Sequence, residues 1–336
     1  MYLFFLRREM PFFLLIIFTF FLSTTAWSQD NFNNNISANN FSFLNDSLKN
    51  AEPYPYNKKR VRLVTAANIV GYGGTLIALN EAWYSKNPRT GFHFFNDGAQ
   101  WLQVDKVGHV YSAYIESTAT MEMWRWAGLN REQRIWLGGL SGVAYQSIIE
   151  VLDGFSADYG FSLADFGANI LGSAVFISQE FAWDEQKIKL KFSFHNKNYA
   201  DEELNARTAQ LAGKTNLEQF IKDYNAQTYW ASGNIHSLFP DTRLPQWLNI
   251  AVGYGAEGMF GGTKNIARDA QGNITFDRPD IKRFRQWYLS PDIDLTKIKT
   301  NKKGVKIILF VLNSFKFPAP ALEYSGGKLK GKWLVF

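Results

Sequence analysis

The order of apolar and polar positions divides the chain into an apolar leader, four helices and a strand-rich tail. Residues 1–28 carry Arg7 and Arg8, an apolar core over 11–22, and then Ala26 and Ser28 three and one residues before Gln29. That layout is a secretory signal peptide, with an uncleaved membrane anchor as the alternative. Residues 29–58 hold the clusters Asn33-Asn34-Asn35 and Asn39-Asn40, have little to bury, and read as a flexible leader.

Four helical patterns follow, over 58–80, 100–126, 130–152 and 162–181. Asn130 and Ser162 stand at capping positions before the third and fourth, with Gln133 and Asp165 three residues on. The third contains an uncharged stretch of 15 residues over 135–149, about 22 Å of helix and short of a bilayer core. Gly138 and Gly142 on the third helix, and Ala164, Ala168 and Gly172 on the fourth, recur every four residues and let helix backbones approach closely. The helical domain therefore covers 59–183, and a polar helical connector covers 184–227.

From 228 to 336 the period changes to two. Leu248, Ile250, Val252 and Tyr254 oppose small or polar neighbours, as do Leu289, Ile293 and Leu295, while Leu329, Trp333 and Val335 alternate with Lys328, Lys330 and Lys332. The apolar run 305–315 favours a helix. The predicted class is α+β: an N-terminal four-helix domain followed by a C-terminal antiparallel β region. A tail of this length supplies about five or six strands, fewer than the eight of the smallest transmembrane barrels. Phe336 falls out of phase with the apolar face. A small antiparallel sheet with exposed aromatics fits better.

Composition sharpens this picture in two places. The 336 residues include no cysteine, which excludes disulfides, cysteine-ligated zinc, iron–sulfur clusters, thiol nucleophiles and a cysteine-borne lipoprotein anchor. The 29 Phe, 15 Tyr and 11 Trp suit a membrane interface or an aromatic-rich sheet. A net charge of +6 makes no case for nucleic acid. Gly71, Gly73 and Gly74 lack the Lys-Ser/Thr of a phosphate-binding loop, so no nucleotide is expected. Gly-x-Ser-x-Gly and His-Glu-x-x-His are absent as well. Trp124, Arg125, Trp126, Arg131 and Arg134 form either an interfacial anchor or a turn with packed tryptophans.

Candidate chemistry lies between residues 105 and 169. Asp105 and His109 share a helix face, Lys106 lies beside them, Glu150 and Asp153 close the third helix, and Asp165 and Asn169 share a face of the fourth. Packed as the small residues suggest, these groups converge near one end of the bundle. Three readings stay open. Asp105, His109, Glu150 and Asp165 form a mixed nitrogen/oxygen set for a divalent metal. The same four serve metal-free acid–base catalysis. Or they form, with Lys106, Asp153 and Asn169, a buried ion-pair network with a purely structural role.

The motifs Asp105-Lys106-x-x-His109, Glu150-x-x-Asp153-Gly154 and Gly160-Phe161-Ser162-x-x-Asp165-x-x-x-Asn169-x-x-Gly172 resemble the YfiM-like family of bacterial envelope proteins, and more distantly the VanZ-like membrane domain. The resemblance covers about 105–180. It implies a compact helical domain, a location in the periplasm or outer membrane, and importance for the seven matched residues. The functional expectation is an exported, membrane-associated protein with a structural or assembly role, its partner a membrane lipid or an envelope protein. The alternative is a lipid- or glycan-processing enzyme.

Overall fold

The computed structural model describes residues 54–79, 88–269 and 271–335. The expected signal peptide, most of the Asn-rich leader and Phe336 lie outside them. Three helices of the first half start where a side chain accepts the first orphan amides. Asn57 Oδ1 accepts from Lys59 and Arg60 at the head of α1 (Lys58–Leu79). Asn130 accepts from Gln133 N at 2.9 Å to open α3 (Arg131–Asp153), and Ser162 accepts from Asp165 N at 3.1 Å to open α4 (Leu163–Trp183). Between α1 and α3, α2 (Val104–Ala127) is entered through a tight turn at Gln100–Gln103 and ends at Gly128, whose φ of 82° is open to glycine at little cost.

Helix α2 is the centre of the bundle. A Cβ on Gly142 of α3 would lie 2.1 Å from the Ala113 carbonyl oxygen, and one on Gly172 of α4 would lie 2.2 Å from that of Val110. Glycine at these points is what brings both helices against the α2 backbone. The contacts inside are strongly polar. Ser117 donates to the Gly139 carbonyl, Gln146 donates to Glu116 at 2.6 Å, and Arg125 meets Glu180 at 3.5 Å. Outward the bundle is apolar: Trp136, Leu137, Leu140 and Ile148 of α3 and Ile170 and Leu171 of α4 are exposed. Among the described residues α3 is the helix long and apolar enough to cross a membrane, although 39% of its apolar window is buried. The uncharged stretch alone is too short, and the whole helix of 23 residues is not.

The arginines of the α2–α3 turn point inward. Arg131 donates to the carbonyls of Glu180 and Phe181 in the last turn of α4, and the buried Arg134 reaches Asp184 at 3.1 Å. Arg60 lies over the Trp126 ring at 5.0 Å. The turn therefore holds packed tryptophan and paired guanidinium groups.

The second half is a six-stranded antiparallel sheet in the order β1-β2-β3-β6-β7-β8, from β1 (Ile188–Phe194), β2 (Gln227–Asn234), β3 (Leu248–Glu257), β6 (Phe284–Ile293), β7 (Ala319–Ser325) and β8 (Lys328–Val335). A separate hairpin pairs β4 (Ile266–Arg268) with β5 (Ile274–Asp277). The fold class is α+β, as the periodicity implies. Strand β1 lies in the stretch expected to be a polar helical connector, because its Lys-rich alternation conceals Leu190, Phe192 and Phe194 as an apolar face. Two polar helices do occupy the rest, α5 (Glu202–Ala212) and α6 (Asn216–Lys222). After β2 comes the single turn α7 (Ile235–Leu238), and the apolar run before β7 is the helix α8 (Lys303–Leu312).

Register places Phe192, Tyr229, Tyr254, Trp287 and Tyr324 in one row across five strands. At β1 and β2 this apolar face packs on Tyr111 and Val104 of α2. Beyond them it is bare: Val252 is 50% exposed, Leu289 47% and Trp333 87%. The opposite face is buried and mixed: Lys191, Ser232, Asn249, Asp292, Ser290 and Glu323 surround a small core of Trp230, Tyr288, Ala251 and Ala321. Lys191 and Asp292 form an ion pair of 2.7 Å with no exposed surface on the lysine side chain, and Ser232 donates to Asp292 at 2.6 Å. Lys316 lies over the Trp230 ring on this face at 5.0 Å. Phe192 N donates to Ser314 O, and Lys316 N donates back to Phe192 O, so the segment before β7 covers the free edge of β1.

Candidate functional site

Three helices and two loops converge on one end of the bundle. Asp105, Lys106 and His109 come from the first turns of α2, Glu150 from the last turn of α3, and Asp165 and Asn169 from the first turns of α4. The Lys106 ammonium is the hub, 2.7 Å from Asp97, 2.8 Å from Asp105 and 2.7 Å from Asp165. His109 lies one helical turn further on. Its Nδ1 is 3.0 Å from Asn169 Oδ1 and 3.7 Å from Glu150, and its Nε2 is 3.6 Å from Asp165 and 3.8 Å from Asp105. All six expected residues other than Asp153 thus meet. Asp153 acts on the cluster through its charge, which is one cause of the raised Glu150 value.

Two residues absent from the sequence-based set complete it. Asp97, from the loop ahead of α2, accepts from Ser162 Oγ at 2.5 Å as well as from Lys106. Tyr224, from the loop before β2, donates to Asp105 at 2.5 Å. Asp97 lies in an aromatic-rich loop with no periodic signal, and Tyr224 is 119 positions from its partner; neither is visible to local pattern. The turn that delivers Asp105 is strained. Trp101, Leu102 and Gln103 have φ of 48°, 50° and 66°, a conformation that costs non-glycine residues roughly 1 kcal/mol or more each. Contacts to the sheet hold it: Trp101 N donates to Gly262 O at 2.7 Å, and Tyr254 donates to Leu102 O.

Four carboxyls share this space with one ammonium and one imidazole, and their protons redistribute. Burial, then the charges of Asp165 and Asp153, pushes Glu150 up to about 9. Burial raises Asp165 as well, while Asp97, in hydrogen-bond contact with it, is lowered because bonds from Asp165, Lys106 and Ser162 outweigh its own burial. Lys106 is raised: burial disfavours its charge, but Asp105 and Asp165 outweigh that cost. At neutral pH the cluster therefore holds a protonated Glu150 and a charged Lys106. The ligand atoms of Asp105, His109 and Asp165 lie within 4.8 Å of one another, a spacing compatible with one metal ion. Lys106 already touches both of those carboxylates and supplies the positive charge that a cation would bring. The other histidines sit apart, with His93 bound to the Tyr159 carbonyl and His195 lowered to about 4 by burial.

Residues 92–179 match a family model described as a predicted periplasmic lipoprotein (DUF2279). The match spans about a quarter of the chain and coincides with α2, α3, α4 and the loop bearing Asp97, the segments that build the cluster. It makes this segment similar to a domain of cell-envelope proteins of unknown function, in line with a periplasmic or outer-membrane location. No curated protein and no solved structure matches the chain.

Proposed function

We propose that the protein is an exported component seated in the outer membrane, where it serves a structural or assembly role and meets lipid directly. The observation that carries this reading is the inverted polarity of the sheet. Soluble sheets turn their apolar face inward; here an apolar face of β3, β6 and β7 is outward, and the buried face sets Lys191, Asp292, Ser232 and Asn249 beside the small apolar cluster of Trp230, Tyr288, Ala251 and Ala321. Apolar-out and polar-in is the arrangement of membrane-embedded β-structure. The exposed row of β6, from Trp287 through Leu289 to Ile293, covers six residue steps, about 20 Å. That exceeds the ~15 Å depth of one leaflet and falls short of the roughly 25 Å band of a spanning barrel, so the face enters one leaflet deeply. The apolar exterior of α3 and α4 supports the same placement, as does the likeness of the Asp105–Asn169 motifs to the YfiM-like and VanZ-like groups. In this reading the Lys106 cluster is a buried ionic lock that fixes α2, α3 and α4 together.

Flotation tests it. The full chain should rise with phospholipid vesicles in a density gradient, and a variant with Val252→Thr, Leu289→Thr and Leu322→Thr should sink while keeping its circular dichroism. Recovery of the wild-type chain in the soluble fraction, with or without vesicles, would sink the proposal.

A second reading, an envelope lipid- or glycan-processing enzyme, is favoured by one observation: a carboxyl protonated at neutral pH, Glu150, lies 3.7 Å from His109, which also faces Asp105 and Asp165. Groups with values driven apart in one site are the raw material of acid–base catalysis. Metal content of protein purified from membranes, together with lipid and glycan hydrolysis by wild type and by folded His109→Ala and Asp165→Asn variants, decides it. Loss of a stoichiometric metal or of turnover in both variants would support the enzyme.

A further inference from the structure

The tail contains a second surface that the bundle does not explain. Between Asp294 and Glu323 the sequence has six lysines and no acidic residue. Two of those lysines, Lys297 and Lys299, border an open groove of about 610 Å³ whose other walls are Pro245, Gln246, Trp247, Ile293 and Ile298. Lys297 is partly engaged by Glu185 at 2.5 Å, whereas Lys299 is exposed. The groove leads into α8, which buries no residue. Val305, Ile308 and Leu312, at i, i+3 and i+7, form an exposed apolar stripe on it, and Lys302 and Lys306 stand exposed beside the stripe. The helix is fastened to the sheet at its far end, where Asn313 Oδ1 accepts from Leu295 N at 2.9 Å.

These features are continuous with the lipid-facing sheet. Ile293 of the groove ends the exposed row of β6 and pairs in register with Leu248 of β3. The surface thus runs from Tyr254 and Trp287, through Val252 and Leu289, to an apolar groove rimmed by lysine. A short helix with an apolar stripe and flanking lysines lies in the plane of a membrane interface, and lysines at that depth attract anionic headgroups.

We propose that the groove and α8 together form a binding site for the phosphate headgroups of anionic lipids, with Lys299, Lys302 and Lys306 at headgroup level and the Val305–Ile308–Leu312 stripe below them. This rests on the membrane reading above and adds to it a lipid class and an orientation. The groove end of the sheet lies at the membrane surface, and the opposite strand ends, at Tyr254 of β3 and Trp287 of β6, lie away from it.

The test is vesicle binding by the full chain, comparing neutral phosphatidylcholine vesicles with vesicles containing anionic phosphatidylglycerol, at low and high salt. Wild type should prefer the anionic vesicles by roughly 10- to 100-fold, three lysines at about 1 kcal/mol each setting the upper end. The variant Lys299→Gln, Lys302→Gln, Lys306→Gln should lose that preference and keep its binding to neutral vesicles. Equal binding to both vesicle types by wild type, or an undiminished preference in the variant, overturns the headgroup site and leaves the membrane reading intact. Binding to neither overturns both. Abolition of the preference by millimolar inorganic phosphate would reassign the site to a soluble anion, and a lipid-free dimer disrupted by the same three substitutions would reassign the surface to a second copy of this chain.

Discussion

Replacing Glu150 with glutamine removes one titration from the bundle and leaves side-chain volume almost unchanged. In the wild type this carboxyl is pushed from an ordinary value of 4.5 to about 9, first by burial and then by Asp165 and Asp153. A carboxyl whose folded value is raised holds its proton more tightly folded than unfolded. Its contribution to stability is complete below the unfolded value and is lost as pH rises toward the folded one. The window therefore runs from 4.5 to about 9. Inside it the slope approaches one proton, roughly 1.4 kcal/mol per pH unit, or ~4 kcal/mol between pH 5 and pH 8 as an upper bound. Glutamine has no such proton to lose, so Glu150→Gln should melt with the wild type near pH 5 and above it at pH 8. At roughly 2 °C per kcal/mol for a large domain, the gap approaches about 8 °C. The assay is thermal unfolding followed by tryptophan fluorescence at pH 5, 6.5 and 8, with both proteins in the same detergent. Parallel pH profiles for the two proteins would refute the assignment of a proton to Glu150.

Three further outcomes follow from the same contacts. Lys106→Met leaves Asp97, Asp105 and Asp165 without their shared ammonium; breaking such a cluster should destabilise the chain by about 3–5 kcal/mol at pH 7.5 and by less at pH 5, where the carboxyls take up protons, as read by chemical denaturation. Gly142→Ala puts a methyl 2.1 Å from the Ala113 carbonyl oxygen and should lower stability by about 1–3 kcal/mol, whereas Gly167→Ala, which meets nothing within 4 Å, should be neutral or slightly stabilising. Lys191→Met strands the buried Asp292 carboxylate and should cost about 3–5 kcal/mol; the paired change Lys191→Met with Asp292→Leu should recover most of it, and failure to do so would show that the pair's charge is not what the interior requires.

The helical half is legible because its determinants are local. Asn130 and Ser162 announce their helices within four residues, and the small residues at Gly142 and Gly172 encode which faces touch. The cluster follows from helix spacing alone once those faces meet. Asp97 and Tyr224 escape this logic because each reaches the site from a loop, through tertiary contact. The sheet is legible in period and opaque in orientation: alternation puts Val252 and Leu289 on one side and Asn249 and Asp292 on the other, but says nothing of which side faces the interior. Strand β1 hides for a related reason. Its Lys191 is buried and its neighbouring Phe192 serves the helical core, so both of its faces are interior and polarity no longer marks the outside.

The hydrogen bonds between Phe192 and residues 314–316 have a consequence for biogenesis. The first strand of the sheet is synthesised long before the segment that covers its edge, Phe315 lying 123 positions after Phe192. Until that segment arrives, β1 presents unpaired backbone amides and carbonyls, the kind of edge on which other chains nucleate aggregates. Closure across so long a separation is slow. The sheet therefore closes only after residues 314–316 have been made, and any chain truncated before residue 314 carries an open β1 edge.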